Sequence, residues 1–207
     1  MVRITDWISQ VLGKSFRRIK GMTRMRKEVR LSDVEKVKSI VHSTGFFTPE
    51  EIDMAGELLE TYLKQGETSG YRFLFMDEGR ETVAYACYGE ISCAGGRYDL
   101  YWIAVDPGRQ GRGYGKSLLE GVEEEVIRLG GQKIFIETSS RLEYKPTRLF
   151  YRRRGYHLEA VIRDFYSWGD HKVIYSKIMP GFTKTADTTE KRIRASKIRK
   201  VWVQKAI

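Results

Sequence analysis

Apolar side chains recur along this chain with two periods, and the change from one to the other divides it. Over residues 4–20, Ile4, Trp7, Ile8, Val11, Leu12, Phe16 and Ile19 fall on one side of a helical wheel, while Lys14, Arg17 and Arg18 lie on or beside the other. That pattern predicts an amphipathic basic helix. A short strand is expected at Glu28–Leu31. A helix is expected from Ser32, with Glu35 completing a capping box and Val34, Val37, Ile40 and Val41 forming its buried stripe. Thr48-Pro49-Glu50-Glu51 carries the marks of a second helix start, and Ile52, Ala55, Leu58, Leu59, Tyr62 and Leu63 continue it to Gly66.

Beyond Gly70 the period shortens. Tyr71–Met76, Thr82–Ile91 and Arg97–Val105 read as strands separated by the turn compositions Asp77-Glu78-Gly79-Arg80 and Ala94-Gly95-Gly96. A helix over about 114–129, a strand at Gln132–Thr138, a helix over about 146–153 and strands at Tyr156–Ile162 and Lys172–Ile178 follow. A meander followed by strand–helix–strand predicts an α/β (α+β) fold: a mixed, mostly antiparallel sheet of about seven strands flanked by helices.

Composition changes this picture in one respect. The 207 residues hold 37 Lys+Arg against 27 Asp+Glu, a net charge of +10. Residues 1–30 carry +7 and residues 181–207 carry +6, so residues 31–180 are mildly acidic at −3. The expected organisation is therefore a basic N-terminal extension (1–27), a central domain (28–180) and a basic C-terminal extension (181–207). No run approaches the ~20 apolar residues of a membrane-spanning helix, and none resembles a secretory signal. Cys87 and Cys93 form no CxxC pair and the three histidines are scattered, so buried thiols, no metal site and a cytoplasmic location are expected.

The sharpest local feature runs from Ile103-Ala104-Val105-Asp106-Pro107 into Gly108-Arg109-Gln110-Gly111-Arg112-Gly113-Tyr114-Gly115-Lys116-Ser117. A buried strand ends and a glycine-rich turn opens a helix whose first amides lack intrahelical acceptors. Such a helix start holds phosphate. A P-loop fails because its first glycine would fall on Gln110, and the dinucleotide pattern fails on Lys116 or Leu118. Gln110-x-x-Gly113-x-Gly115 after Val-Asp-Pro instead strongly resembles the acyl-CoA-binding motif of the GNAT superfamily of N-acyltransferases, and the order of elements agrees over about residues 28–179.

The resemblance implies an acetyl-CoA pyrophosphate on the amides of residues 110–115, with Arg109, Arg112 and Lys116 around it. It also implies a pantetheine arm pairing with the backbone of Ile103 and Val105, in a wedge where two strands splay. The segment Pro146–Tyr156 resembles the second signature of that family, which implies that Tyr151 protonates the leaving thiolate and that Phe150 lies at the cofactor. Tyr144 stands where the family has a helix-start Asn, and Thr147 or Ser140 can replace its hydrogen bonds. Tyr101 takes the place of a frequent catalytic Glu. Glu137 and then Asp99 are the candidate bases, directly or through water. Two aromatic loops, His42–Thr48 with Phe46 and Phe47, and Asp164–Gly169 with Phe165, Tyr166 and Trp168, are expected to bind an amine acceptor with an apolar portion, held by Asp164 or Asp170.

The expected function is an acetyltransferase joining an acetyl group to a primary amine by direct attack. The alternative is a non-catalytic coenzyme A-binding or protein-interaction module tethered by its arms. For the arms, docking on the body or on a second copy as a homodimer, association with an anionic membrane, and RNA contact stand open.

Overall fold

The computed structural model describes residues 23–182, so the amphipathic segment at 4–20 and the extension from Thr183 lie outside the described residues. Seven strands form one sheet: β1 (Thr23–Arg26), β2 (Arg72–Glu78), β3 (Glu81–Glu90), β4 (Arg97–Val105), β5 (Lys133–Ser139), β6 (His157–Ser167) and β7 (Asp170–Ile178), in the order β1-β2-β3-β4-β5-β7-β6. Four α-helices cover it: α1 (Asp33–Ser43), α2 (Pro49–Gln65), α3 (Tyr114–Arg128) and α4 (Lys145–Arg153). Every neighbouring pair is antiparallel except β4 and β5.

Two cores lie on opposite faces of the sheet. Leu118, Leu119 and Val122 of α3 pack with Leu74, Ile134, Ile136 and Tyr151 on one. Val37, Val41 and Leu59 of α1 and α2 pack with Phe73, Phe75 and Tyr85 on the other. Each such side chain contributes roughly 1.5–3 kcal/mol by leaving water. Gly121 lets α3 approach the sheet, because a Cβ there would stand 2.7 Å from Met25 Sδ and 3.1 Å from Leu74 Cδ1.

The first strand lies at Thr23–Arg26, upstream of the expected Glu28–Leu31. Arg26 explains the placement. Its guanidinium is buried, pairs with Asp33 Oδ2 at 2.8 Å and Asp77 Oδ2 at 2.9 Å, donates to Thr82 Oγ1 at 3.1 Å and lies 4.3 Å from the centre of the Phe75 ring. One cation thus joins β1, α1, β2 and β3, and removing it would leave two buried carboxylates unpaired at a cost of about 3–5 kcal/mol. The same network displaces the expected cap of α1: Ser32 makes no side-chain cap bond, and Asp33 Oδ2 accepts from the Arg30 amide at 2.7 Å instead. The capping box expected at α2 forms, with Thr48 and Glu51 exchanging hydrogen bonds.

Two further expectations are corrected. Strand β6 runs on to Ser167, so most of the expected loop Asp164–Gly169 is strand and hairpin turn. All of β6 is exposed, because it is the sheet's outer edge. Cys87 is a buried free thiol as expected, but Cys93 is exposed in the turn after β3, at a φ of 63°.

Candidate active site

The site begins where the sheet parts. The parallel ladder of β4 and β5 runs only from Arg97↔Lys133 to Leu100↔Ile136, after which neither strand is the other's neighbour. The split coincides with a bulge on the other side of β4: Tyr88 pairs with Leu100 and Cys87 with Trp102, leaving Tyr101 as an extra residue. A bulge turns one strand's faces by a residue. Tyr98 and Leu100 therefore face the α3 core and so do Ile103 and Val105, while Trp102 and Ala104 face the α1–α2 core. Tyr101 lies 41% exposed with its ring edge-on to Tyr71 at 5.7 Å. Gly89 makes room for this, since a Cβ there would stand 2.3 Å from the Gly70 carbonyl oxygen and 3.1 Å from the Tyr101 ring.

The glycine loop lies at the end of β4. Asp106 caps a 3₁₀ turn through its Oδ1, which accepts from the Gly108 amide at 2.8 Å. Gly111 and Gly113 hold φ of 75° and 89°, the left-handed region, with open space where their side chains would be. Gly113 is the N-cap of α3 and offers no side chain to its first amides. That opening fits a phosphate: unpartnered donors, the positive end of a helix, and no Cβ in the way. Gln110 is placed differently from its expected role. Its amide donates to the Pro107 carbonyl at 3.3 Å and its side-chain Nε2 to the Val105 carbonyl at 3.3 Å, so it fastens the loop to the strand end.

The basic side chains of the loop are engaged by an acid that sequence reasoning missed. Glu78, at the end of β2, pairs with Arg109 at 2.7 Å and Arg112 at 3.4 Å and accepts from the Tyr114 hydroxyl at 3.1 Å. Lys116 pairs with Glu120 one turn on, at 3.6 Å, and Ser117 donates its amide to Gly113 within the helix. Glu78 lies in a hairpin with no recognisable spacing to the loop, so only the β2–β3 register brings it there.

Helix α4 lies across the loop from β4. A Cβ on Gly115 would be 3.6 Å from Val105 and 3.9 Å from Phe150, placing Phe150 beside the loop. Tyr151, 4% exposed, packs against Phe150, Tyr156 and Tyr175 with ring centroids 5.4–6.4 Å apart. Burial pushes its phenol well above the ordinary value, so it is protonated at neutral pH. The Thr138 hydroxyl, just past the split on β5, is buried with no hydrogen-bond partner among the described residues. No motif in the sequence signals this position at the split.

Both candidate bases stand beside the split. Glu137 Oε2 forms a 2.6 Å ion pair with Lys172 of β7. Asp99 is half-buried, and burial lifts its carboxyl above the ordinary value; Glu137 adds to the rise and Lys172 opposes it. Lys172 also lies 3.7 Å from the centre of the Phe165 ring and 5.9 Å from that of Tyr166. The Tyr166 phenol is pushed up to about 12, by burial first and then by Glu137 and Asp170.

The remaining candidates divide. Phe46 is 43% exposed and meets Tyr144 at 5.6 Å between rings, with the Tyr144 hydroxyl 3.5 Å from the Phe46 carbonyl. Tyr144 thus bridges toward the acceptor loop. Phe47 turns inward onto Trp102 at 4.9 Å and belongs to the second core. Asp164 accepts from the Gly169 amide at 2.8 Å and holds the β6–β7 turn. Asp170 accepts from Ser139 at 2.5 Å and pairs with Arg141 at 3.3 Å. The Ser140 hydroxyl accepts from the His171 amide at 2.8 Å, and Thr147 lies half-buried in the first turn of α4. Among the described residues no cluster of His, Cys, Asp and Glu could hold a metal ion, and no helix is long and apolar enough to cross a membrane.

A bulged strand that leaves its parallel neighbour, above a glycine-capped helix start open to phosphate, defines an acyltransferase that takes its acyl group from a coenzyme A thioester. Comparison with known proteins agrees: the model of the Acetyltransferase (GNAT) family matches residues 39–156, and the chain belongs to that family. Acetyl-CoA is accordingly its cofactor. A putative GNAT acetyltransferase from Desulfovibrio desulfuricans is 46% identical, superimposes with a TM-score of 0.75, and matches over 76% of this chain and 99% of its own. The ribosomal-protein-S18-alanine N-acetyltransferase from Escherichia coli (18% identity, TM-score 0.62, 79% and 98% covered) shares the fold. So does an aminoglycoside 6'-N-acetyltransferase complexed with coenzyme A (18%, 0.62, 75% and 97%). No curated protein matches by sequence.

Proposed function

We propose that the protein is an N-acetyltransferase in which a primary amine attacks the thioester directly, without an acyl-enzyme. The observation that carries this reading is Asp99: a half-buried carboxylate of raised basicity at the split between β4 and β5, with no ion pair among the described residues. Bound acetyl-CoA supplies the activated acetyl group. Asp99 takes a proton from the acceptor's ammonium, directly or through water, so that the nitrogen lone pair can form the new C–N bond. The β4 amide near Val105 polarises the carbonyl, and the Tyr151 phenol protonates the thiolate as the C–S bond breaks and is restored by the proton that the nitrogen gives up in becoming an amide. Glu137, first of the two acids in the sequence reading, serves as the ion-pair partner of Lys172.

Acceptor-dependent thiol release from acetyl-CoA, measured over a panel of amines, tests the reading. Coenzyme A binding without release across the panel would favour the non-catalytic module. Tyr151→Phe is expected to lower kcat by ~10²-fold; unchanged turnover with chemistry rate-limiting would remove Tyr151 from the role. Because β1 spans Thr23–Arg26, a 1–22 deletion that spares this strand is the form of the arm deletion to use. We assign the arms to docking on the body or on a second copy, and the enzyme to the cytoplasm. The edge strand β6, exposed along its length among the described residues, supports a homodimer, which sedimentation would detect. Loss of vesicle or RNA co-sedimentation on deleting 1–22 would instead give that arm to membrane or RNA.

A further inference from the structure

Between the pairs Ile162↔Lys172 and Ser167↔Asp170 the β6–β7 ladder loses its register: β6 carries four residues, 163–166, where β7 has only His171. Bulged residues have no ladder partner of their own. Two side chains hold these instead. His171 Nδ1 accepts from the Asp164 amide at 2.9 Å, and Asp164, at a φ of 50°, accepts from the Gly169 amide at 2.8 Å. His171 is itself fastened to the end of β5. Its amide donates to Ser140 Oγ at 2.8 Å, and its carbonyl accepts from the Ser140 amide at 2.9 Å.

A backbone amide can only donate, so Nδ1 carries a lone pair and the neutral ring bears its proton on Nε2. The Asp164 carboxylate lies 3.5 Å from Nδ1. Of the charged neighbours on β7, Asp170 is held by Ser139 and Arg141, and Lys172 by Glu137.

The bulge carries Phe165. Lys172 Nζ lies 3.7 Å from the centre of that ring and 2.6 Å from Glu137 Oε2. Asp99 in turn feels Glu137 of β5 and Lys172 of β7, with the Tyr101 phenol close by on its own strand. Contacts therefore run without a break from the imidazole, through the bulge and its ring, to the ion pair that acts on Asp99.

We infer that His171 is a positioning residue, whose Nδ1 holds the bulge at 163–166 and through Phe165 keeps Lys172 against Glu137. The inference rests on the reading above only in taking Asp99 as the base; the chain of contacts can be tested without turnover.

The experiment uses the full-length protein and NMR. Wild type is expected to show His171 with a bare Nδ1 and a protonated Nε2, and Lys172 methylenes displaced by the Phe165 ring. His171→Leu should abolish that displacement and move the titration of the Asp99 carboxyl to higher pH, because a released Lys172 no longer favours the ionised form. Phe165→Ala, at an exposed position, should do the same. His171→Asn, whose Oδ1 branches from Cγ as Nδ1 does, should restore most of the wild-type behaviour. Lys172→Met should move the titration at least as far, and adding His171→Leu to it should move it no further. A proton on Nδ1, a Lys172 or Asp99 unmoved by both His171→Leu and Phe165→Ala, an Asn variant no better than Leu, or full additivity with Lys172→Met overturns the inference. The acid limb of kcat/KM should follow the Asp99 titration across these variants. A limb that stays fixed while the titration moves removes Asp99 as the base and leaves the role of His171 standing.

Discussion

The glycine loop and the proposed acceptor mouth share β4 but are made of different material. The loop is one continuous stretch, Val105–Ser117, and its chemistry is largely backbone: two left-handed glycines and the uncapped amides of α3. The mouth gathers side chains from the α1–α2 connection, β4, β5, β6 and β7, and depends on which of them are already paired. A backbone site can serve one invariant ligand with little further tuning. A side-chain site can be retargeted by exchanging a single ion pair, which suits a family that varies its acceptor.

That difference can be broken experimentally from either side. Asp99→Asn should act on the mouth alone, lowering kcat by ~10²–10⁴-fold. Coenzyme A affinity by calorimetry should stay within about twofold, because Asp99 lies off the loop. A parallel loss of coenzyme A binding would mean that the two regions are not separable. Gly113→Val should act on the loop alone. A β-branched residue at a φ of 89° costs on the order of 1–2 kcal/mol. The KM for acetyl-CoA should therefore rise about tenfold, with kcat at saturation retained.

Glu78→Gln is a smaller perturbation of the same region. It removes the ion pairs to Arg109 and Arg112, which are exposed and worth about 0–1 kcal/mol each. The KM for acetyl-CoA should rise by up to about threefold, and less at high salt.

The finest test is the acid limb of the kcat/KM profile. With Asp99 as the proposed base, activity should fall as pH drops through the raised pKa of that carboxyl. Lys172→Met removes a charge that favours the ionised form and should move the limb to higher pH. Glu137→Gln removes one that disfavours it and should move the limb to lower pH. Equal profiles for the two variants would exclude Asp99 as the titrating group.

The same contrast explains what could be read from the sequence. The strand–turn–helix at 103–117 and the aromatic helix ending in Gly155 announce themselves because their residues are neighbours in the chain. The count of seven strands and most element bounds follow from periodicity for the same reason. Pairings across the fold leave no such trace. Glu78 meets Arg109 through strand register, Glu137 is neutralised by a lysine on β7, and Arg26 fixes the first strand through acids at 33 and 77. The bulge at Tyr101 was equally hidden. Simple alternation forward from Asp99 assigns the wrong faces beyond it, and a local sequence does not advertise the extra residue.

The short ladder of β4 and β5 has a mechanical meaning as well. It makes the sheet two antiparallel blocks, one of β1 to β4 and one of β5, β7 and β6, sewn together by four rungs from Arg97 to Leu100. A donor lying in the open part of that seam would act as the missing stitches. The enzyme's resistance to unfolding would then follow its acetyl-CoA supply, rising by RT ln(1 + [L]/Kd). Amide exchange along Tyr101–Val105 would report how full the seam is.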